Sequence, residues 1–370
     1  MNQLELLEYV DKLFDVDLSD CLVIACQHLL GSQELMFKKF IEKGLKPTNL
    51  FILGKCYSSS KVVIDRLKSG GVYIHPGSLR FDSHKSFDEQ FDDNVKDLIE
   101  YVKSKKQLKN FRKIILLDDG GYLIYWANSL LSDYKNIVSV EQTSSGYHKL
   151  KSFDCKFSII NVARSKAKLV VESPVISKAI IVTMDKSLKK LNLEPRDVLI
   201  IGMGAIGTQL YSDLKEKYNI SSYDRTFNNH IAPKNPDKFD MIIGCTGESV
   251  IDEYSKLKKD VILVSASSSD REFSAFKIRK MTKKNRVIHK DYHVQNIYLL
   301  NSGFPVCFTG SVHSSPPREI QLTIALLFSG VCQGLIKKYP KGFINLDEKI
   351  QENIIKEYYR IINFHKPYKS

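Results

Sequence analysis

Short apolar stretches recur along the first half of this chain, each followed by a segment long enough for a helix. Residues 22–25, 50–53, 72–75, 114–117, 137–140 and 158–162 read as buried strands. Strands alternating with helix-length segments predict a parallel α/β sheet. Ahead of them, Leu4, Leu7, Val10 and Phe14 fall at helical spacing, which predicts an amphipathic helix over residues 1–18. A long helix is expected over 174–191. A second α/β unit follows it, with strands starting at 198 and over 220–223, 241–244, 261–265 and 297–300. Helices over 318–335 and 347–362 close the chain. No internal repeat or Gly/Ser-rich linker interrupts it. The pattern predicts two Rossmann-like, doubly wound α/β domains. Residues 1–173 are the expected substrate or catalytic domain and 174–312 the dinucleotide domain, with helices in 313–370 returning to the first.

The stretch VLIIGMGAIG at 198–207 bears on chemistry most directly. A β-branched run leads into Gly202-x-Gly204-x-x-Gly207, and a helical pattern follows from Thr208. In such a turn the first glycine allows the bend and the second lets the backbone approach a pyrophosphate. The third seats the helix close to the sheet, and the N–H groups at the helix N-terminus face the phosphates. Gly202, Gly204, Ala205, Ile206 and Gly207 are the expected cofactor loop. A glycine-rich turn can also exist without a ligand, but here the next strand ends at Asp224, 22 residues after Gly202. That is the spacing of the carboxylate that binds an adenosine ribose diol, and its charge favours NAD over NADP. Arg225 beside it works in the other direction.

Composition narrows the class. The formal charge is +13, yet the lysines are scattered in clusters such as Lys256-Leu257-Lys258-Lys259 and Lys283-Lys284, with no basic arm or aromatic stripe. This reads as a solvated surface and argues against a nucleic-acid partner. The seven cysteines form no C-x-x-C pair and read as reduced, buried thiols. No leader precedes the first element and no apolar run approaches the ~20 residues that span a bilayer. The expectation is a cytoplasmic protein without a membrane or metal site.

Four stretches follow strand ends, where open α/β sheets bind ligands. Cys26-Gln27-His28 carries a histidine that could equally be a polar cap. Asp118-Asp119-Gly120-Gly121 offers carboxylates and close backbone approach, or a plain turn. Residues 141–146, EQTSSG, form a hydroxyl-rich turn or an ordinary loop. In residues 161–173, NVARSKAKLVVES, Lys168 and Glu172 share a helical face, as a functional pair or a surface ion pair.

Together these stretches resemble the S-adenosylhomocysteine hydrolase family over most of the chain. The family carries DDGG, then EETTTG, then NVNDS-x-x-K-x-x-x-D-N, then GxGxxG; its TTTG is similar to Cys245-Thr246-Gly247 here. The resemblance implies NAD, which takes hydride from a nucleoside 3′-hydroxyl, followed by loss of the C4′ proton and elimination of the 5′ substituent. It implies a nucleoside-like small-molecule substrate and a homo-oligomer, dimer or tetramer. It makes Asp119 the base near C4′, Lys168 the residue assisting 3′ deprotonation with Glu172 beside it, and His28 the group near the leaving group. Gln142 and Asp118 fall at substrate-binding positions, and Thr143, Thr246 and Gly247 at cofactor-binding ones.

Departures from the family cluster around substrate reading and the water step. Gln142 replaces a glutamate, Ala163 an asparagine, Ser268 a catalytic histidine and Cys307 an asparagine near the nicotinamide. Leu30 and Ser32 stand for threonine and glutamate after His28. Lys366 and Tyr368 are all that corresponds to a long Lys- and Tyr-bearing tail. The expectation is an NAD-dependent relative with altered specificity. Two readings stay open beside it: an inactive NAD- or nucleotide-binding regulatory homologue, and a 2-hydroxyacid-dehydrogenase-like oxidoreductase, with His313 ahead of Pro316 as its histidine.

Overall fold

The computed structural model describes residues 4–228, 235–251, 253–282 and 288–364. The expected Lys283-Lys284 cluster and the tail residues Lys366 and Tyr368 lie outside them. The chain runs α1 (Glu5–Asp11), β1 (Cys21–Leu29), α2 (Gly31–Glu42), β2 (Leu50–Ser59), α3 (Lys61–Ser69) and β3 (Tyr73–Ile74). Next come α4 (Phe87–Lys105), β4 (Lys113–Asp118), α5 (Tyr122–Leu130), β5 (Ile137–Glu141), α6 (Ser144–Leu150) and β6 (Ser158–Asn161). A π-helical turn, Ala167–Glu172, leads into α7 (Ser173–Leu191), β7 (Asp197–Ile201), α8 (Ala205–Leu214), β8 (Asn219–Tyr223) and α9 (Arg225–Asn228). Then follow β9 (Met241–Gly244), β10 (Val261–Ser265), α10 (Ala275–Lys280), β11 (Tyr292–Val294) and β12 (Ile297–Leu299). The chain closes with α11 (Pro317–Ile336), β13 (Gly342–Asn345) and α12 (Glu348–Phe364).

Two compact units result. The first comprises residues 1–80, 91–172 and 311–370, and the second 81–90 and 173–310. The sheet of the first unit has the order β13-β6-β5-β4-β1-β2-β3, with every pairing parallel. Apart from β13 this is the 3-2-1-4-5-6 order of a Rossmann fold, whose direction reverses between β1 and β4. β1 reads CLVIACQHL and is buried along nearly its whole length, as a central parallel strand covered on both faces must be. α11 packs on one face. A Cβ added at its Gly330 would sit 3.0 Å from both Val140 Cγ1 and Val162 Cγ2, and one at Gly334 2.5 Å from Val138 Cγ2. These two glycines let the helix lie against β5 and β6.

α11 corrects the expectation that no stretch is long and apolar enough to cross a membrane: its mean hydropathy is 1.5 over a sufficient length. In the first unit 78% of that apolar window is buried, so the helix serves as a core element. The opening helix is also shorter than expected. It ends at Asp11, although Phe14 is buried as its spacing implies. The Asp17 carboxylate accepts hydrogen bonds from Ser19 N at 2.9 Å and Ser19 Oγ at 2.6 Å, a local turn that competes with helix.

The sheet of the second unit has the order β11-β12-β10-β9-β7-β8, parallel except for β11 against β12. Its direction reverses between β7 and β9. Arg279 is 1% exposed in this unit. It donates to Ser83 O at 2.8 Å and Ser302 O at 2.7 Å and pairs with Asp270 at 2.5 Å. Those bonds fasten residues 81–90 to the unit.

Candidate functional site

In the first unit the strand ends at the reversal between β1 and β4 hold His28, Asp118 and Asp119. The Asp119 carboxylate, 1% exposed, is gripped by three donors. The Lys55 ammonium from β2 and the Gln142 amide after β5 donate to it, and His28 Nε2 stands 3.1 Å away. Burial alone would drive its pKa up, but the Lys55 charge, and then His28, outweigh burial and hold it well below the usual carboxylate range. Burial likewise disfavours the Lys55 cation, and Asp119 more than compensates, keeping Lys55 charged. His28 Nδ1 lies 2.5 Å from Ser58 Oγ.

Beside this ion pair sits a second pair of acids. Asp118 and Glu141 are register partners on β4 and β5, both fully buried. Asp118 Oδ2 accepts from Ile124 N at 2.9 Å, near the start of α5. Glu141 Oε1 accepts from Thr143 N and Thr143 Oγ1, each at 2.7 Å, and from Gly120 N at 3.3 Å. The remaining oxygens, Asp118 Oδ1 and Glu141 Oε2, have no partner among the described residues. Burial raises both carboxyls, and for Glu141 the neighbouring Asp118 raises it further. Two adjacent buried carboxylates cannot both ionise, so the pair retains a proton.

That proton has a sign in pH. A folded-state pKa above the unfolded value means that the folded state binds more protons in between. Stability contributed by the pair is therefore present below the ordinary carboxylate range and lost as pH rises through the folded pKa. Glu141→Gln supplies the amide equivalent of the protonated acid and abolishes that loss. In denaturation followed by Trp126 fluorescence, the variant should gain on the wild type between about pH 5 and about pH 8. A difference constant with pH would mean that the pair holds no proton.

Lys168 and Glu172 lie on the π-helical turn after β6. Lys168 Nζ is 2.6 Å from Glu172 Oε2, and Thr323 Oγ1 from α11 donates to Glu172 Oε1. Thr143 is committed within the unit, since its hydroxyl also accepts from Gly146 N at 2.9 Å and caps α6. His313 lies against Gly31 at the start of α2, where an added Cβ would meet His313 Cε1 at 2.5 Å.

The glycine loop of the second unit starts where β7 ends. Gly202 has φ +96, and a Cβ there would also strike Cys245 and Thr246. A Cβ at Gly207 would lie 1.8 Å from Gly202 O, whereas one at Gly204 meets nothing within 4 Å. One glycine bends the loop, one brings helix and loop together, and the one between them opens onto free space at the start of α8. Ala205 is exposed and Ile206 half-buried at that helix start. Asp224 Oδ2 accepts from Met203 N at 2.7 Å and Oδ1 from Thr226 N at 2.9 Å. Partial burial opposes its ionisation, but these N–H groups win and lower its pKa. Arg225, the residue that weighed towards NADP, pairs with Glu248 at 3.0 Å.

Opposite the loop, after β9, Gly247 has φ +74 and open space around it. Glu272 organises this rim by accepting from Thr246 Oγ1 at 3.0 Å, from Gly247 N at 2.5 Å and from Ser267 Oγ. Ser268 is half-buried on the same segment. Cys307 lies in the core of the unit, where burial pushes its thiol up to about 12. A cavity of about 500 Å³ lined by Asp185, Asn192, Lys217 and others borders the N-terminal ends of β7 and β8, away from this chemistry.

Sequence reasoning passed over Lys55, Ser58, Glu272 and Thr323. Lys55 carried a usable signal, because a lysine inside the apolar run LFILGKC must find an anion if that strand is buried. The other three show themselves only through their partners.

No protein-family model matches the chain. Two uncharacterized proteins from two strains of Mycobacterium tuberculosis are each 35% identical to it over 328 residues, 86% of this chain. The chain spans 64% of the length of these curated relatives. Among solved structures, it is similar to a dipicolinate synthase from Bacillus halodurans, at 9% identity and TM-score 0.41 over 87% of this chain and 100% of that one. The dipicolinate synthase from Bacillus subtilis gives 10% identity and TM-score 0.33 over 68% and 83%. Scores of that size carry no argument about chemistry.

Proposed function

We propose that the protein is an NAD-dependent enzyme that transiently oxidises a hydroxyl of a nucleoside or related sugar-like substrate, in the manner of the S-adenosylhomocysteine hydrolases but with altered specificity. The glycine loop carries the reading: Gly202 at φ +96, Gly207 against Gly202 O and Gly204 open to space are the three conditions a bound pyrophosphate sets. Gly202, Gly204, Ala205, Ile206 and Gly207 would hold the phosphates, Asp224 the ribose, and Thr246 and Gly247 the facing rim. NAD, when bound, supplies the hydride acceptor. The pairing of Arg225 with Glu248 supports NAD over NADP.

The remaining work falls to side chains of the first unit. Lys168, oriented by Glu172, handles the proton of the hydroxyl being oxidised. His28 and Asp119 manage proton movement at the other end of the substrate. Gln142 Oε1, buried and without a partner among the described residues, offers a neutral acceptor to a substrate hydroxyl.

The test is the absorbance of the NAD-loaded protein at the NADH band, on adding S-adenosylhomocysteine, adenosine and a panel of nucleosides and sugars in turn. Growth of the band with one ligand supports the reading. In that assay Lys168→Ala should lower the rate at least ~100-fold with NAD affinity unchanged, the scale of a lost proton-transfer group. A wild-type rate in the variant would remove Lys168 from the mechanism. A second reading, an NAD-binding protein without turnover, is favoured by the saturation of Asp119 by three donors, and it expects a flat trace with every ligand.

A further inference from the structure

Lys55 and Ser58 are the two polar side chains of β2 that meet the His28–Asp119 pair, and the chemistry proposed above gives them no task. Lys55 is 3% exposed and Ser58 1%. Ser58 Oγ lies 2.5 Å from His28 Nδ1, while Nε2 on the far side of the ring lies 3.1 Å from Asp119 Oδ2. A neutral imidazole has one donor and one acceptor nitrogen. A carboxylate anion only accepts, so the hydrogen of the neutral ring belongs on Nε2, and Nδ1 keeps its lone pair for the Ser58 hydroxyl.

We propose that Ser58, His28 and Asp119 form a proton relay whose outlet is the Ser58 oxygen, and that Lys55 is the positioning residue that fixes its direction. The relay rests on the enzymatic reading given above. In the forward step a substrate proton bonds to Ser58 Oγ while the hydroxyl's own hydrogen passes to His28 Nδ1. One bond to hydrogen breaks and one forms at each transfer. The positive charge ends on an imidazolium whose Nε2–H still faces the Asp119 anion. The reverse sequence delivers a proton to a leaving group, and neither direction needs an oxidant.

The role of Lys55 follows from the surroundings of Asp119. Gln142 donates to the same carboxylate. Asp118, Glu141, Cys26 and Tyr57 are ionisable groups near the ion pair, all buried. Lys149 acts on the neighbouring Asp118. Among these neighbours Asp118 and Glu141 are carboxyls, and the Lys55 ammonium is the cation that sits directly on Asp119. Without the Lys55 ammonium, Asp119 would compete with two further buried acids for protons. A protonated Asp119 could donate to Nε2, which would reverse the tautomer and cut Ser58 out.

The experiment is nitrogen NMR of the full chain carrying ¹⁵N-histidine, with the His28 signals assigned by their loss in His28→Gln. The expected spectrum has hydrogen on Nε2 and a bare Nδ1; hydrogen on Nδ1 would overturn the relay. Lys55→Met should abolish the single Nε2–H form, and Lys55→Arg should keep it. An unchanged tautomer in folded Lys55→Met would remove the positioning role. In the absorbance assay, Ser58→Ala should slow growth of the NADH band at least ~100-fold at unchanged NAD affinity, with Ser58→Thr restoring most of the rate. A wild-type rate in Ser58→Ala overturns the outlet. If no ligand changes the wild-type absorbance, the enzymatic reading has failed, while the tautomer still decides the wiring of the three residues.

Discussion

Asp119→Asn should destabilise the first unit by about 3–5 kcal/mol, the usual cost of stranding one member of a buried ion pair. The variant leaves the Lys55 ammonium, 3% exposed, without the carboxylate it hydrogen-bonds. Lys55→Met alone should cost less, because Asp119 can take up a proton or lean on His28 at 3.1 Å. The double variant Lys55→Met/Asp119→Asn should recover most of the loss, since apolar replacement of a buried pair is often close to neutral. Trp126 is the single tryptophan of the chain and belongs to this unit, so its fluorescence reports on the unit. Simple additivity of the two single variants would show that the pair contributes no coupling. The pH course has a definite sign. A depressed carboxylate contributes stability above the ordinary carboxylate range, which is lost as pH falls through the folded pKa. Wild type should therefore lose its advantage over the double variant on acidification.

The second large effect separates two glycines three residues apart. Gly204→Val should leave the second unit folded, because an added Cβ meets nothing within 4 Å. It should nevertheless reduce NAD affinity at least ~100-fold, since the side chain enters the space through which backbone N–H groups reach a pyrophosphate. Gly207→Ala should do the opposite, because its Cβ would fall 1.8 Å from Gly202 O and force α8 off the loop. Lowered thermal stability is expected there even without ligand. Calorimetric titration with NAD and thermal unfolding of both variants distinguish the cases. Tight binding by Gly204→Val would dismiss the loop as the phosphate site.

Much of this architecture could be read from the chain because central parallel strands are apolar throughout and so betray themselves. β1, β4, β5, β7, β9 and β10 all fall where the apolar runs lie. β13 and β11 went unread for the converse reason. Each is an edge strand of four residues or fewer, with at most one residue buried and no pattern for a periodicity argument to grip. The site divides similarly. The glycines announce the loop by their spacing, Gly202 taking a left-handed φ and Gly207 a close approach that a Cβ would block, with Gly204 leaving open space between them. That Glu272 organises the opposite rim, or that Thr323 holds Glu172, depends on pairings across 25 and 151 residues, which no local pattern encodes. The resemblance identified His28 and Asp119 but not Lys55, whose ammonium changes what that aspartate can do.

Arg279 has a consequence for how the chain is made. Its guanidinium closes on Ser83 O across 196 residues of sequence, and Asp270 accepts from Phe87 N across 183. The first unit is similarly overdue, because β13 adds to the sheet beside β6 only after residue 342. During synthesis residues 81–90 emerge long before their partners, and β6 waits for its outer neighbour until residue 342 and beyond have been made. Neither unit is one uninterrupted stretch of chain, and a fragment starting at residue 173 would lack part of its own interior. Long-range closure of this kind slows folding. The nascent protein should therefore depend on chaperone protection until β13 has emerged, with the second unit able to close once residue 310 is made and the first only after residue 342.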